Sequence, residues 1–181
     1  MSGDSPTIPV VDVSALSSGD ESSDRVAADI RRACRDCGFF YVVGHDVDTA
    51  LGERLEQLSR QFFAQDFDEK MSIRMARGGR AWRGFFPVGA ELTVGQPDQK
   101  EGLYFGKELP AKHPKVAAGL PLHGPNLFPD IAGFRETVLE YLDAMTQLGH
   151  VLMSGIALSL GLPATYFADR YTGDPLILFR V

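Results

Sequence analysis

Pro175-Leu176-Ile177-Leu178-Phe179-Arg180-Val181 is the stretch on which the fold turns. Apolar nearly throughout, it reads as a buried strand, and a buried strand needs neighbours for its backbone donors and acceptors. It follows the stripe Ile131, Phe134, Val138, Leu142, Met145, Gly149, Leu152, Ile156 and Leu160, which recurs at helical spacing between Pro129-Asp130 and the stop signal at Gly161 and Pro163. A helix from Asp130 to Leu160 would span ~46 Å at ~1.5 Å per residue. Such a rod needs a large apolar partner, and the few short strands upstream hardly supply one. The expectation is a β-core beyond Val181, with the chain cut in mid-sheet.

Composition bounds the class. The 181 residues, 44% hydrophobic and 23% charged, fit one domain or one large lobe of a globular protein. A net charge of −6 disfavours general attraction to nucleic acid or anionic lipid. Leu139 to Leu162 is the most apolar long stretch, but it carries Glu140, Asp143, Gln147 and His150, which a bilayer-spanning helix would rarely hold together. Two cysteines and no signal-peptide pattern point to a reducing compartment, with the cytoplasm as the default. Neither a nucleic-acid nor a membrane partner is expected.

Working outward, Ile8 to Val13 alternates and is β-branched, so it predicts a short strand with Pro9 at its edge or start. Ser14 to Ser23 reads as a loop. Val26, Ile30, Ala33 and Cys37 form one stripe of a helix over 24–37, capped by Ser22 or Ser23 and ended by Gly38. Phe39 to Val43 predicts a strand, completing a first αβ unit. Asp48 can cap a second helix carrying Leu51, Leu55, Leu58 and Phe62, and 68–71 suggests a short third one. From Gly78 to Pro129 the chain is rich in Gly and Pro, with Gly102 to Phe105 as its clearest strand. Loops of this length in a compact chain are usually functional or disordered, and Trp82, Phe85, Phe86, Tyr104 and Phe105 argue against disorder.

Several clusters invite a chemical reading. Cys34-Arg35-Asp36-Cys37 has redox spacing, but it falls in the last turn of a helix, where the dipole disfavours a thiolate. Two buried core thiols are expected instead. The four histidines, His45, His113, His123 and His150, are scattered and lack the H-x-D or H-x-E spacing that often begins a non-haem iron site, so each is read as structural. Arg74, Arg77, Arg80 and Arg83 recur every third residue. They read first as a solvated loop edge, second as a clamp for carboxylates, and a distant third as an RNA-binding patch. Glu91, Asp98, Lys100 and Glu101 could pair with these arginines, or Glu91 could face a cleft and accept a hydrogen bond from a cationic substrate. No phosphate loop, nucleophile elbow or Ser/His/Asp ordering is present.

The pieces Ile8-Pro9-Val10-Val11-Asp12, Cys37-Gly38-Phe39-Phe40-Tyr41-Val42-Val43-Gly44-His45, Phe62-Phe63 with Asp68-Glu69-Lys70, Arg83-Gly84-Phe85, Asp98-Gln99-Lys100-Glu101 and Leu122-His123-Gly124-Pro125-Asn126 resemble, in this order, the N-terminal region of the isopenicillin N synthase-like 2-oxoglutarate and Fe(II)-dependent oxygenases. The resemblance implies an α/β (α+β) fold: the helical and strand portion that wraps a double-stranded β-helix, or jelly roll, with one long backing helix and most of the catalytic barrel missing. It implies two parts, 1–128 as the dioxygenase N-terminal region and 129–181 as the spine helix with the first strand of the core. It further implies Fe(II) and 2-oxoglutarate as cofactors of the intact parent, a small-molecule substrate, and a missing C-terminal half that holds the H-x-D and distal His ligands and the R-x-S motif. None of these motifs appears here, so the chain alone is expected to be inactive, to bind neither cofactor, and to supply no catalytic residue and no metal ligand. By the same resemblance, Arg83, Phe85, Glu91 and Thr93 would line the substrate side of the cleft and Arg180 would point toward the co-substrate. Asp46 stands where many relatives have Gly, and Ala64-Gln65 where Leu-Pro is common, so no one branch passes on its substrate class. The alternative is a non-catalytic module that binds a small anion with the arginine and aromatic loop 74–86.

Overall fold

The computed structural model describes residues 7–17 and 21–181. Its elements in chain order are β1 (Val10–Asp12), α1 (Glu21–Asp36), β2 (Tyr41–Val43), α2 (Thr49–Phe63), α3 (Phe67–Met71), β3 (Gly84–Phe86), β4 (Leu92–Thr93), β5 (Gln96–Pro97), β6 (Gly102–Phe105), α4 (Pro114–Ala117), α5 (Phe134–Ser159) and β7 (Phe179–Arg180). They fall into two compact units, one of residues 1–47 and 144–175 and the other of residues 48–143 and 176–181. The division does not follow chain order, because α5 contributes to both.

In the first unit β1 and β2 pair in parallel, Val10 opposite Tyr41 and Asp12 opposite Val43, with α1 as the crossover. Strand alternation sends Val11 and Val13 inward, where Val26, Ile30 and Ala33 of α1 meet them, with Leu152 and Ile156 of α5 packed alongside. Val10, Tyr41 and Val43 are exposed on the other side. Gly44 is required by a close approach: its φ is +66°, and a Cβ there would lie 2.2 Å from Asp12 Oδ1. That carboxylate accepts from Ser14 N at 3.0 Å, and this bond holds the Asp12 carboxyl below the usual carboxylate range.

Two expectations are corrected here. The segment read as a loop holds a 3-10 turn over Ser14–Ser17, and α1 begins at Glu21; positions 18–20 lie outside the described residues. Ser23 sits inside the first turn and donates to Ala15 O at 2.8 Å, tying the two turns together. The cysteines are not core thiols: Cys34 is exposed and Cys37 only half-buried. Ala33 takes the inward position in that turn, and Gly38 (φ +82°), whose N–H bonds Ala33 O, ends the helix directly afterwards.

In the second unit Asp48 caps α2 as expected, accepting from Ala50 N at 2.9 Å. Leu55 and Phe62 of α2 enter a core with Phe85, Leu103, Phe105, Ile131, Phe134, Val138 and Leu142. Phe62 is its hub, meeting Phe63, Phe85 and Phe134 edge to face with centroids 5.1, 5.8 and 6.3 Å away. Arg54 joins α2 to α5 through Thr137 (3.2 Å) and Glu140 (2.7 Å).

The spine helix is shorter at its start than the sequence suggests. Gly133 has φ +78°, which an α-helix cannot continue through, so Ile131 joins the core from a turn and α5 runs for 26 residues, ~39 Å. Its other end matches the reading of Gly161. That residue lies at φ +73°, and the bonds Gly161 N to Leu158 O and Leu162 N to Ala157 O close a Schellman cap.

The segment Arg83-Gly84-Phe85, read as a loop, instead opens into β3. It pairs antiparallel with β6, which pairs antiparallel with β7, giving a sheet of order β3-β6-β7. β7 is also a correction: Ile177, Phe179 and Val181 pack on the core, whereas Leu176, Leu178 and Arg180 are exposed, so the segment is buried on one side only. Replacing Phe62 with Ala should remove the hub of this core and cost about 3–5 kcal/mol, read as a lower urea midpoint with an unchanged slope.

Candidate functional site

The sheet has two unlike faces because neighbouring residues on a strand point in opposite directions. Phe85, Leu103, Phe105 and Phe179 go to the core. Gly84, Tyr104 and Arg180 stand abreast on the other face, and Phe86 lies diagonal to Tyr104. The Phe86 ring covers Gly102, where an added Cβ would come within 2.5 Å of it, and stacks on Tyr104 at a centroid distance of 5.2 Å. The Arg180 guanidinium lies 5.9 Å from the other aromatic centroid, that of Tyr104.

Charged groups gather around the phenol. Tyr104 donates its hydroxyl hydrogen to Glu91 Oε1 at 2.8 Å, and Arg180 Nη1 sits 3.5 Å from the phenol oxygen and 3.6 Å from Glu91 Oε2. Lys100 Nζ is 3.5 Å from Glu91 Oε2 and forms a shorter pair with Asp98. The hairpin β4-β5, with Leu92 opposite Pro97 and Thr93 opposite Gln96, lies between Glu91 and Asp98 in the chain, and Asp98 N donates to Glu91 O at 2.9 Å. Hydrogen bonds from Lys100 and then Thr93 hold the Asp98 carboxyl below its ordinary range, and the bond to Asp98 raises Lys100. Burial, then the bond to Glu91, raises the Tyr104 phenol, with Arg180 opposing. The arrangement offers a neutral phenol, a half-exposed guanidinium and a carboxylate within one hydrogen-bonding step of each other.

Of the residues singled out from sequence, Glu91 and Arg180 are thus brought into one cluster, and Thr93 joins it through Asp98. Arg83 and Phe85 are elsewhere. Phe85 is fully buried on the core face with Lys70 Nζ 5.5 Å from its ring centre, and Arg83 is fully buried beside the core, its pKa lowered by burial and supported by the charge of Glu108. Arg74, Arg77 and Arg80 are exposed, so the four arginines share no single surface. Nor do they take the acidic partners expected for them: Glu91 and Asp98 pair with Lys100 and Arg180, and Glu101 pairs with the buried Lys70 at 3.0 Å. Sequence reasoning passed over Tyr104, Phe86, Asp98 and Lys100 as site residues. The signal was the alternation in Gly102-Leu103-Tyr104-Phe105, which sets the one hydroxyl opposite two core side chains.

Among the described residues, no group of three or more His, Cys, Asp or Glu side chains could hold a metal ion. His45 Nδ1 accepts from Val47 N, His113 Nδ1 caps α4 through Lys115 N, and His123 Nδ1 lies 2.8 Å from Pro121 O, so three of the four histidines shape local backbone. No helix among the described residues is long and apolar enough to cross a membrane.

Residues 8–131, more than half of the chain, match the family described as non-haem dioxygenase in morphine synthesis N-terminal. The chain is 48% identical to a probable iron/ascorbate oxidoreductase of Dictyostelium discoideum over 96% of its own length and 51% of that protein's. It is 36% identical to a 1-aminocyclopropane-1-carboxylate oxidase of Dictyostelium mucoroides, over 94% of this chain and 47% of the relative. The solved structure of full-length Neurospora crassa T7H in complex with alpha-KG superposes with a TM-score of 0.76 at 25% identity, covering 99% of this chain and 55% of that one. The chain spans about half the length of the curated relatives it matches.

The raised phenol gives a pH test. Tyr104 favours its protonated form in the folded state, so its contribution to stability is present below the ordinary tyrosine value of about 10 and is lost as pH climbs through the folded value. Phenolate absorbance should show a late step that Tyr104→Phe abolishes. Glu91→Gln should lower that step only in part, because burial is the larger cause.

Proposed function

Because the chain belongs to the non-haem dioxygenase N-terminal family of the 2-oxoglutarate and Fe(II)-dependent oxygenases, we propose that it forms the substrate-side portion of an enzyme that oxidises a small molecule with O2. Iron and 2-oxoglutarate would supply the oxidising power in that enzyme, while the residues described here bind and orient. The single observation that carries the reading is the convergence of Glu91, Tyr104 and Arg180 on the face of the sheet turned away from the core that fixes its other face.

In this proposal Arg180 takes a carboxylate of the co-substrate or substrate, since a guanidinium grips a carboxylate in bidentate fashion. Glu91 and Thr93 meet the polar groups of the substrate, with Tyr104 fixing the rotamer of Glu91. Phe85 and Arg83 support that surface from behind. Binding of alpha-KG by the Neurospora protein and the named action of the Dictyostelium relative on a small cyclic amino acid both support a small-molecule substrate. The chain by itself is proposed not to turn over substrate.

Two measurements test this. Anaerobic Fe(II) titration of the 181-residue chain should reveal no tight stoichiometric site, and finding one would contradict the proposal. In the oxygenase that carries this chain, Arg180→Ala should raise the 2-oxoglutarate or substrate KM roughly ten- to a hundred-fold, the scale of a lost charged hydrogen bond worth about 1.5–3 kcal/mol. Unchanged KM values for both would remove Arg180 from the site.

A further inference from the structure

Four non-glycine residues among those described have a left-handed backbone: Asp46, Trp82, Val94 and Leu122. Two of them, Trp82 (φ 57°) and Leu122 (φ 63°), lie in separate loops and share one partner. Arg83 Nη1 donates to Trp82 O at 3.3 Å, and Arg83 Nη2 donates to Leu122 O at 2.9 Å. A bulky side chain in this region is strained, and such strain persists only where the surroundings over-determine it.

The surroundings here are built for the guanidinium. A Cβ placed on Gly106 would fall 2.0 Å from Arg83 Nη2 and 2.4 Å from its Cζ, so the group rests against bare backbone. The two loops also touch directly: Leu122 N donates to Arg80 O at 2.8 Å, and a Cβ on Gly124 would lie 2.7 Å from the Ala81 Cβ. Arg83 is fully buried, and its Nε has no partner among the described residues. A residue needed only to fill this space would be apolar, because burying a charge with incomplete hydrogen bonding is costly. What only the planar fork provides is two directed bonds to two carbonyls at once.

We infer that Arg83 is a positioning residue: its buried guanidinium pegs Trp82 and Leu122 in their left-handed conformations and so fixes where the indole of Trp82 is presented. Trp82 is the protein's single tryptophan and is 51% exposed, so the peg holds an aromatic group out at the surface. This role is separate from the oxygenase reading and does not depend on it.

The lone tryptophan makes the test direct. In the 181-residue chain, Arg83→Met should lower the anisotropy of Trp82 fluorescence and raise its quenching by acrylamide. Leu122→Gly should raise the melting temperature in the unmodified chain, because glycine holds the left-handed conformation without strain, and should raise it less in the Arg83→Met background, where an unpegged Leu122 has already relaxed. Should Arg83→Met prove unable to fold, Arg83→Lys keeps the charge but loses the fork and should give the same Trp82 signature. The inference is overturned if the folded variant, Met or Lys, melts lower while Trp82 anisotropy and quenching stay as in the unmodified chain, or if Leu122→Gly shifts melting equally in both backgrounds.

Discussion

The arrangement of Tyr104 and Arg180 in the second unit depends on how β3, β6 and β7 seat their other face on Phe62 and Phe134. Phe85, Leu103 and Phe105 are each fully buried in that contact, and a one-residue slip would turn all of them outward together. The register is therefore strongly specified by apolar packing alone. Tyr104 and Arg180 stand abreast because Leu103, Phe105 and Phe179 leave them no other side.

Local devices then refine what the register begins. Gly102 has no side chain, so Phe86 can lie across it and stack beneath Tyr104. Lys70 binds both Glu101 oxygens and Phe63 O, fixing the chain just before β6 against the end of α2. On the far side of β6, Asn126 accepts from Gly106 N, donates to Gly106 O and also reaches Glu108, so the strand leaves in a defined direction. These bonds surround β6 at both ends, which suits a strand that carries the central phenol of the cluster.

Much of this was legible in the sequence, and the gaps have physical causes. The cap at Asp48, the stripe Val26-Ile30-Ala33, the strand at Gly102 and the stop at Gly161 all rest on local rules, and each is found where those rules place it. β3 was missed because Arg83 precedes it and Gly84 opens it, and only its partner β6, distant in sequence, makes it a strand. Arg83 was grouped with a solvated loop edge because charge ordinarily means exposure, whereas here two backbone carbonyls take the guanidinium inside. The cysteines were put in the core by residue type, but α1 ends too soon to bury them. Within the site, Glu91, Thr93 and Arg180 were suggested by likeness to a family. Tyr104 and Lys100 required the three-dimensional pairing, since no spacing in the chain connects position 91 with position 180.

The cluster also has a balance of charge. Glu91 and Asp98 face Lys100 and Arg180, two anions with two cations, each already within ion-pair distance of another. A charged guest arriving here would meet no vacant counter-ion among these four and would have to enter by exchange, taking one resident's partner and leaving another resident alone. Geometry counts for more than net attraction in such a setting: Glu91 meets Arg180 through Oε2 alone, at 3.6 Å, so a flat carboxylate able to face the guanidinium with two oxygens would compete where a simple halide would not.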